Sequence, residues 1–153
     1  MRIGDALRED LIKTELEATT RDGAMRELVE LLAGRGPLPD ESVEPLYRAI
    51  LEREKLGSTA IGRGVAIPHA KASCACEFMA ALGRSTAGVD FAATDAEPVH
   101  IIFLLASAPD TQRAHLRALA GISRLLSKQD LRARILAAES AKEILEIIRQ
   151  GEA

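Results

Sequence analysis

The eight residues His100 to Ser107, HIIFLLAS, contain six consecutive apolar side chains, Ile101 to Ala106, and no Lys, Arg, Asp or Glu. A strand with one wet face alternates apolar and polar residues; a strand apolar on both faces has to be covered on both. The run is far shorter than the roughly 18 apolar residues of a membrane span. It therefore reads as the central strand of a sheet with helices packed on each side, which constrains the fold more than any other part of the chain.

The remaining elements fit around that strand. Residues 11 to 18, LIKTELEA, alternate well enough for a first strand. Thr19-Thr20-Arg21-Asp22 then offers an N-cap for a helix whose apolar face is Ala24, Leu28, Leu31 and Leu32, and Gly34, Gly36, Pro37 and Pro39 stop it. PDES starts a second helix from about Ser42 to Lys55, with Pro45 in its first turn and a stripe of Val43, Leu46, Ile50 and Leu51. CEFMAALGRS reads as a buried strand. Beyond Asp110 the chain turns helical, with Leu116, Leu119, Ile122, Leu125 and Leu126 on one side, followed by DLRARILAA and SAKEILEIIRQ. There is no repeat, low-complexity tract or linker. The expectation is one α/β domain over residues 1–153, a three-layer α/β/α sandwich whose central mixed β-sheet is flanked by helices on both faces.

Composition removes several function classes. Lys+Arg 20 against Asp+Glu 23 leaves a net charge of -3, too balanced for a nucleic-acid footprint, and any phosphate chemistry has to come from a local site. The start MRIGDALREDL lacks the apolar core of a signal peptide, so the expectation is a cytoplasmic protein with no membrane insertion. Cys74 and Cys76 are one residue apart, where a disulfide would be strained, and read as reduced thiols. With His69 they supply three potential metal ligands and lack a fourth, so no metal is expected.

The chemistry concentrates in GSTAIGRGVAIPHAK, residues 57–71, where glycines, hydroxyls and cations surround His69 behind Pro68, in a chain with only 3 histidines. The stretch lacks the Gly-Lys-Ser/Thr ending of a nucleotide-binding P-loop and the glycine spacing of a dinucleotide site. On composition alone, a histidine after proline in such a loop is an ordinary loop residue. An imidazole with its usual pKa of ~6.5 is nevertheless a competent nucleophile at neutral pH without an accompanying base. If it attacked phosphorus, the charge in transit would need preorganised donors. Arg53, Ser58, Thr59 and the backbone at Gly62 and Gly64 are of the right type, and Pro68 narrows the freedom of the imidazole that follows.

LEREKLGSTAIGRGVAIPHAK, residues 51–71, closely resembles the signature of the type-2 enzyme IIA domains of the bacterial phosphoenolpyruvate-dependent phosphotransferase system, the fructose/mannitol and nitrogen-regulatory family. There an Arg-Glu pair, a Gly-Ser/Thr-Thr turn and an Ile-Pro-His sequence surround a phosphorylated histidine. FLLASAPDTQRAHLRALAGISRLL, residues 103–126, is similar to the family's second segment, in which a strand leads into a helix bearing a second histidine. The resemblance covers essentially the whole chain. It implies a phosphohistidine relay needing no cofactor, with His69 as the acceptor, His115 as the imidazole that hydrogen-bonds the phosphate and Arg53 as the neutralising guanidinium. Ser58 and Thr59 would bind phosphate beside them.

The same resemblance implies a phosphocarrier partner, HPr or its nitrogen-branch counterpart, and a downstream IIB domain or regulatory target. A chain without fused domains is expected to be the nitrogen-regulatory type. A IIA subunit of a fructose/mannitol-type sugar permease and a non-phosphorylated binding module are the alternatives. Ala60 departs from the family's frequent glycine. Arg63 is open between assisting the anion and docking an acidic partner, Lys71 between the family's Pro-His-x-Lys pattern and a solvated surface lysine, and His100 reads as structural.

Overall fold

The computed structural model describes residues 2–73, 78–93 and 95–152. Its apolar run forms the strand Val99–Ser107, and from Ile101 to Ala106 no residue is more than 2% exposed. In chain order the elements are α1 (Ile3–Ala6), β1 (Ile12–Lys13), α2 (Arg21–Arg35), α3 (Val43–Lys55), β2 (Ala60–Gly62), β3 (Val65–Ala66), β4 (His69–Lys71), β5 (Phe78–Val89), β6 (Val99–Ser107), α4 (Gln112–Leu126), α5 (Gln129–Ala137) and α6 (Ala141–Glu152).

β6 lies between β5, which pairs antiparallel with it, and the short strands β3 and β4, which both run parallel along its other edge. β1 pairs parallel with the outer edge of β5, and β2 pairs antiparallel with β3, so the six-stranded sheet is mixed, in the order β1-β5-β6-β3-β2 with β4 also on β6. α2 packs on β5 and against α3; α6 packs on α1, α5 and β1. The architecture is the expected mixed sheet with helices layered on it. No helix among the described residues is long and apolar enough to cross a membrane.

Local chemistry explains most boundaries. Thr20 caps α2, its Oγ1 accepting from Gly23 N at 3.1 Å, and Pro45 stands in the first turn of α3, where no intrahelical donor is lost. Between β2 and β3, Arg63 and Gly64 take φ of 58° and 81°, positive at both central positions as the tight hairpin turns that match strand twist require. Ala60 has no positive φ, so the alanine there carries no backbone cost.

Several sequence expectations shift. The first strand contracts from residues 11–18 to Ile12–Lys13. Beyond it the chain still follows β5, with Leu16 N donating to Arg84 O at 2.8 Å, but the Thr14 carbonyl is taken by Arg84 Nε at 2.8 Å. Leu16 also packs onto Gly83, where a Cβ would meet Leu16 Cδ2 at 2.7 Å. Helix α1 carries no local start signal because its cap is distant: the Glu152 carboxylate accepts from Ile3 N at 2.6 Å and Gly4 N at 2.7 Å. Leu116 leaves the apolar stripe of α4 and stands 57% exposed, while His115 turns inward with Ile122, Leu125 and Leu126. Cys74 and Cys76, with the start of the expected CEFMAALGRS strand, lie outside the described residues.

Candidate functional site

β6 positions both histidines at its C-terminal end. β4 is registered so that His69 pairs with Leu105, and Pro68 O accepts from Leu105 N at 3.0 Å, which ties the residue before His69 to the central strand. The chain then leaves β6 at Ser107 and re-enters the site one turn into α4, at His115. The two imidazoles are 5.5 Å apart between ring centroids and tilted by 54°. Around them lies a cleft of about 430 Å³, lined by Arg53 and Leu56 from the end of α3, Lys71 from β4, and Leu116 and Leu119 from α4.

Hydrogen bonding fixes the protonation pattern of His69. Its Nδ1 lies 2.8 Å from Ile67 O, and a carbonyl oxygen only accepts, so Nδ1 carries the proton and Nε2 keeps its lone pair. Among the described residues Nε2 has no hydrogen-bond partner. Burial pushes the His69 pKa below its ordinary 6.5; the bond to Ile67 O opposes this, the Arg53 charge adds to it, and Glu54 opposes it. The result is a neutral imidazole at neutral pH. His115 is displaced further, to about 4, by burial first and then by His69 and Lys71. Only 2% exposed, it places Nδ1 2.5 Å from Ser107 Oγ.

Arg53 is half-buried, and its Nη1 donates to Gly57 O at 3.0 Å, which holds the guanidinium at the cleft; among the described residues its other donors have no side-chain or backbone acceptor. The structure therefore brings together Arg53, His69 and His115. It does not bring Ser58 and Thr59 to the cleft wall. Ser58 Oγ donates to Phe91 O at 2.7 Å and accepts from Ala60 N at 3.1 Å. Thr59 is 5% exposed and gives both its donors to the Glu54 carboxylate, N at 2.9 Å and Oγ1 at 2.6 Å. Both hydroxyls brace the glycine-rich loop from within.

Glu54 is thus the member of the Arg-Glu pair that holds the loop, a buried carboxylate accepting twice from a single residue five positions later. Replacing it with alanine is expected to leave the Thr59 N–H and hydroxyl buried without an acceptor and to destabilise the fold by about 2 to 3 kcal/mol. Urea denaturation would measure this, and an unchanged midpoint would show that the loop is held by other contacts.

The remaining candidates separate cleanly. Lys71 is exposed at the cleft. Arg63 points elsewhere, its N donating to Asp95 Oδ2 at 2.9 Å and its Nη1 to Ser127 O at 3.3 Å. His100 donates from Nδ1 to Ser85 O at 2.8 Å, a structural bond between β6 and β5. No group of three metal-ligating side chains is placed to hold a metal among the described residues. Sequence reasoning missed Ser107, whose hydroxyl reads there only as the polar end of an apolar strand. It also missed the cleft rim of Leu56, 84% exposed, and Leu116.

The chain is similar to several known proteins. Residues 5–151 match the family model described as phosphoenolpyruvate-dependent sugar phosphotransferase system, EIIA 2. The fructose-specific EIIABC component of Bacillus subtilis is 37% identical over 150 residues, which are 98% of this chain and 23% of that longer protein. The nitrogen regulatory protein of Bradyrhizobium diazoefficiens is 33% identical, with 97% of this chain and 95% of that one covered. Among solved structures, the nitrogen regulatory protein IIA-Ntr of Neisseria meningitidis superimposes with a TM-score of 0.86 at 30% identity, covering 95% of this chain and 98% of that one.

Proposed function

The chain belongs to the EIIA type-2 family of the phosphoenolpyruvate-dependent sugar phosphotransferase system, and from that membership we propose that it takes a phosphoryl group onto His69 Nε2 from a phosphohistidine carrier. The observation that carries this is the bond from His69 Nδ1 to Ile67 O, which leaves an unprotonated Nε2 beside Arg53 and His115.

In the step, the lone pair of His69 Nε2 forms the new P–N bond as the P–N bond of the carrier breaks, and its electron pair returns to the carrier's imidazole nitrogen. No proton has to move at His69, because Nδ1 keeps its own on Ile67 O. Arg53 offers a planar donor fork to the phosphoryl oxygens, and neutral His115 offers a hydrogen bond without adding a fixed charge. Thr59 and Ser58 serve through the shape of the loop. Neither a metal nor a cofactor enters.

The carrier is HPr or its nitrogen-branch counterpart, and the group leaves to a IIB cysteine or stays as a mark sensed by regulatory targets, in the cytoplasm. Similarity to two nitrogen regulatory proteins supports the regulatory reading, with the chain acting as one IIA unit. The fructose-specific relative supports the permease reading. Phosphoenolpyruvate, enzyme I and each carrier in turn are expected to leave acid-labile phosphate on the protein. Preference for the nitrogen-branch carrier and no transfer onward to a fructose-type IIB supports the regulator; the reverse supports the permease. No phosphate from either carrier would leave the fold as a binding module only.

A further inference from the structure

We propose that Ser107 is a positioning residue for this transfer: its hydroxyl donates to His115 Nδ1 and thereby fixes the His115 tautomer that keeps Nε2–H as the ring's one donor. The inference rests on the reading of His69 as phosphoryl acceptor, but the bond and the tautomer exist without phosphate.

Ser107 has little freedom. It is fully buried, ends β6, pairs with Phe78 on one side and Lys71 on the other, and its carbonyl accepts from Ala72 N at 3.0 Å. Its Oγ has one hydrogen-bond partner among the described residues, His115 Nδ1 at 2.5 Å. A hydroxyl holds one proton, so the pair has two arrangements. If Nδ1–H donated to Oγ, the serine proton would be buried with no acceptor among the described residues, and His115 Nε2 would present a lone pair. With the rings 5.5 Å apart between centroids, a lone pair there would offer the transferred phosphoryl oxygens no donor. If Oγ–H donates to Nδ1, the serine is satisfied and Nε2–H is the donor the anion needs.

His115 stays neutral at working pH because burial holds its pKa at about 4. Its ability to donate therefore depends on which nitrogen carries the single proton, and no second proton removes the ambiguity. Burial alone would not choose between the nitrogens; Ser107 does. β6 thus supplies the chemistry of the helix that follows it as well as its starting point.

Nitrogen-15 spectra of the histidine rings test this directly on the unphosphorylated protein at neutral pH. The expected result is a protonated Nε2 and an unprotonated, hydrogen-bonded Nδ1 on His115. In Ser107→Ala the Nδ1 resonance should lose its hydrogen-bonded shift and some Nδ1–H form should emerge, with phosphoryl transfer to His69 slowed about fivefold to tenfold. Ser107→Cys is close in shape and slightly larger but donates poorly, and should follow the alanine variant. Thermal melts of both variants check that the fold persists. A protonated Nδ1 in the wild-type protein, or His115 signals and transfer rates that are the same with and without the hydroxyl, overturns the proposal. Absence of phosphate on the wild-type protein would instead defeat the reading of His69, while the spectra still decide whether Ser107 sets the tautomer.

Discussion

Replacing His69 with alanine is expected to abolish carrier-dependent, acid-labile phosphate on the protein, a loss of roughly a thousandfold or more, because the variant has no nucleophile to form the P–N bond. The fold should survive: His69 is half-buried at the end of the sheet, and among the described residues its ring makes one hydrogen bond, to a carbonyl two residues away. Equal melting temperatures would separate loss of chemistry from loss of structure. Neutral His115 is the nearest competing imidazole, but it is only 2% exposed and its Nδ1 is engaged by Ser107, so it should not take over. Label that persists at wild-type level in His69→Ala, or that moves to His115, would remove His69 from the mechanism. The companion change His115→Ala is expected to slow transfer while leaving His69 competent, since it removes a donor and not the acceptor.

A second large effect concerns stability in acid. In the unfolded chain His115 binds a proton near the ordinary 6.5, whereas in the fold it does so only near about 4. Between those values the unfolded state holds the extra proton. The stabilisation of the fold is therefore fully present above pH 6.5 and is lost as pH falls toward 4. The displacement corresponds to roughly 2 to 3 kcal/mol between pH 7 and pH 4.5. His69, displaced in the same direction, adds to it. Urea midpoints at the two pH values, compared between the wild-type protein and His115→Gln, isolate the contribution: the variant should lose less stability on acidification. Equal losses would mean that His115 is protonated in the folded protein and that the site opens to admit water.

How much of this was legible in the sequence divides along a physical line. The six-residue apolar run could only be a covered strand, and Thr20, Pro45 and the glycines after α2 are local signals read within a few residues of where they act. Arg53, His69 and His115 were accessible through the resemblance, and the fold brings them to one cleft. What stayed hidden depends on distant partners. Glu152 caps α1 from the other end of the chain, and Arg84 on β5 gathers the Thr14, Ile135 and Ala138 carbonyls, so that β1 stops short. Ser58 and Thr59 had the right chemistry for an anion, but where a hydroxyl donates is decided by the nearest buried acceptor, and Phe91 O and the Glu54 carboxylate are those acceptors. Ser107 gave no signal at all: one hydroxyl at the end of an apolar strand acquires meaning only once α4 has returned His115 to it.

The placement of both imidazoles against the C-terminal end of β6 also has a consequence for hydrogen exchange. β6 is hydrogen-bonded along both edges and buried from Ile101 to Ser107, so the amides of Leu104 to Ser107 belong among the last to exchange, in the unit that opens only with the whole molecule. Leu56, just past the end of α3, and Leu116, near the start of α4, are exposed at the rim. These segments sit at the low end of the opening ladder. The site can thus loosen its rim to fit successive partners of different shape while the distance between its two rings stays set by the slowest-exchanging strand of the protein.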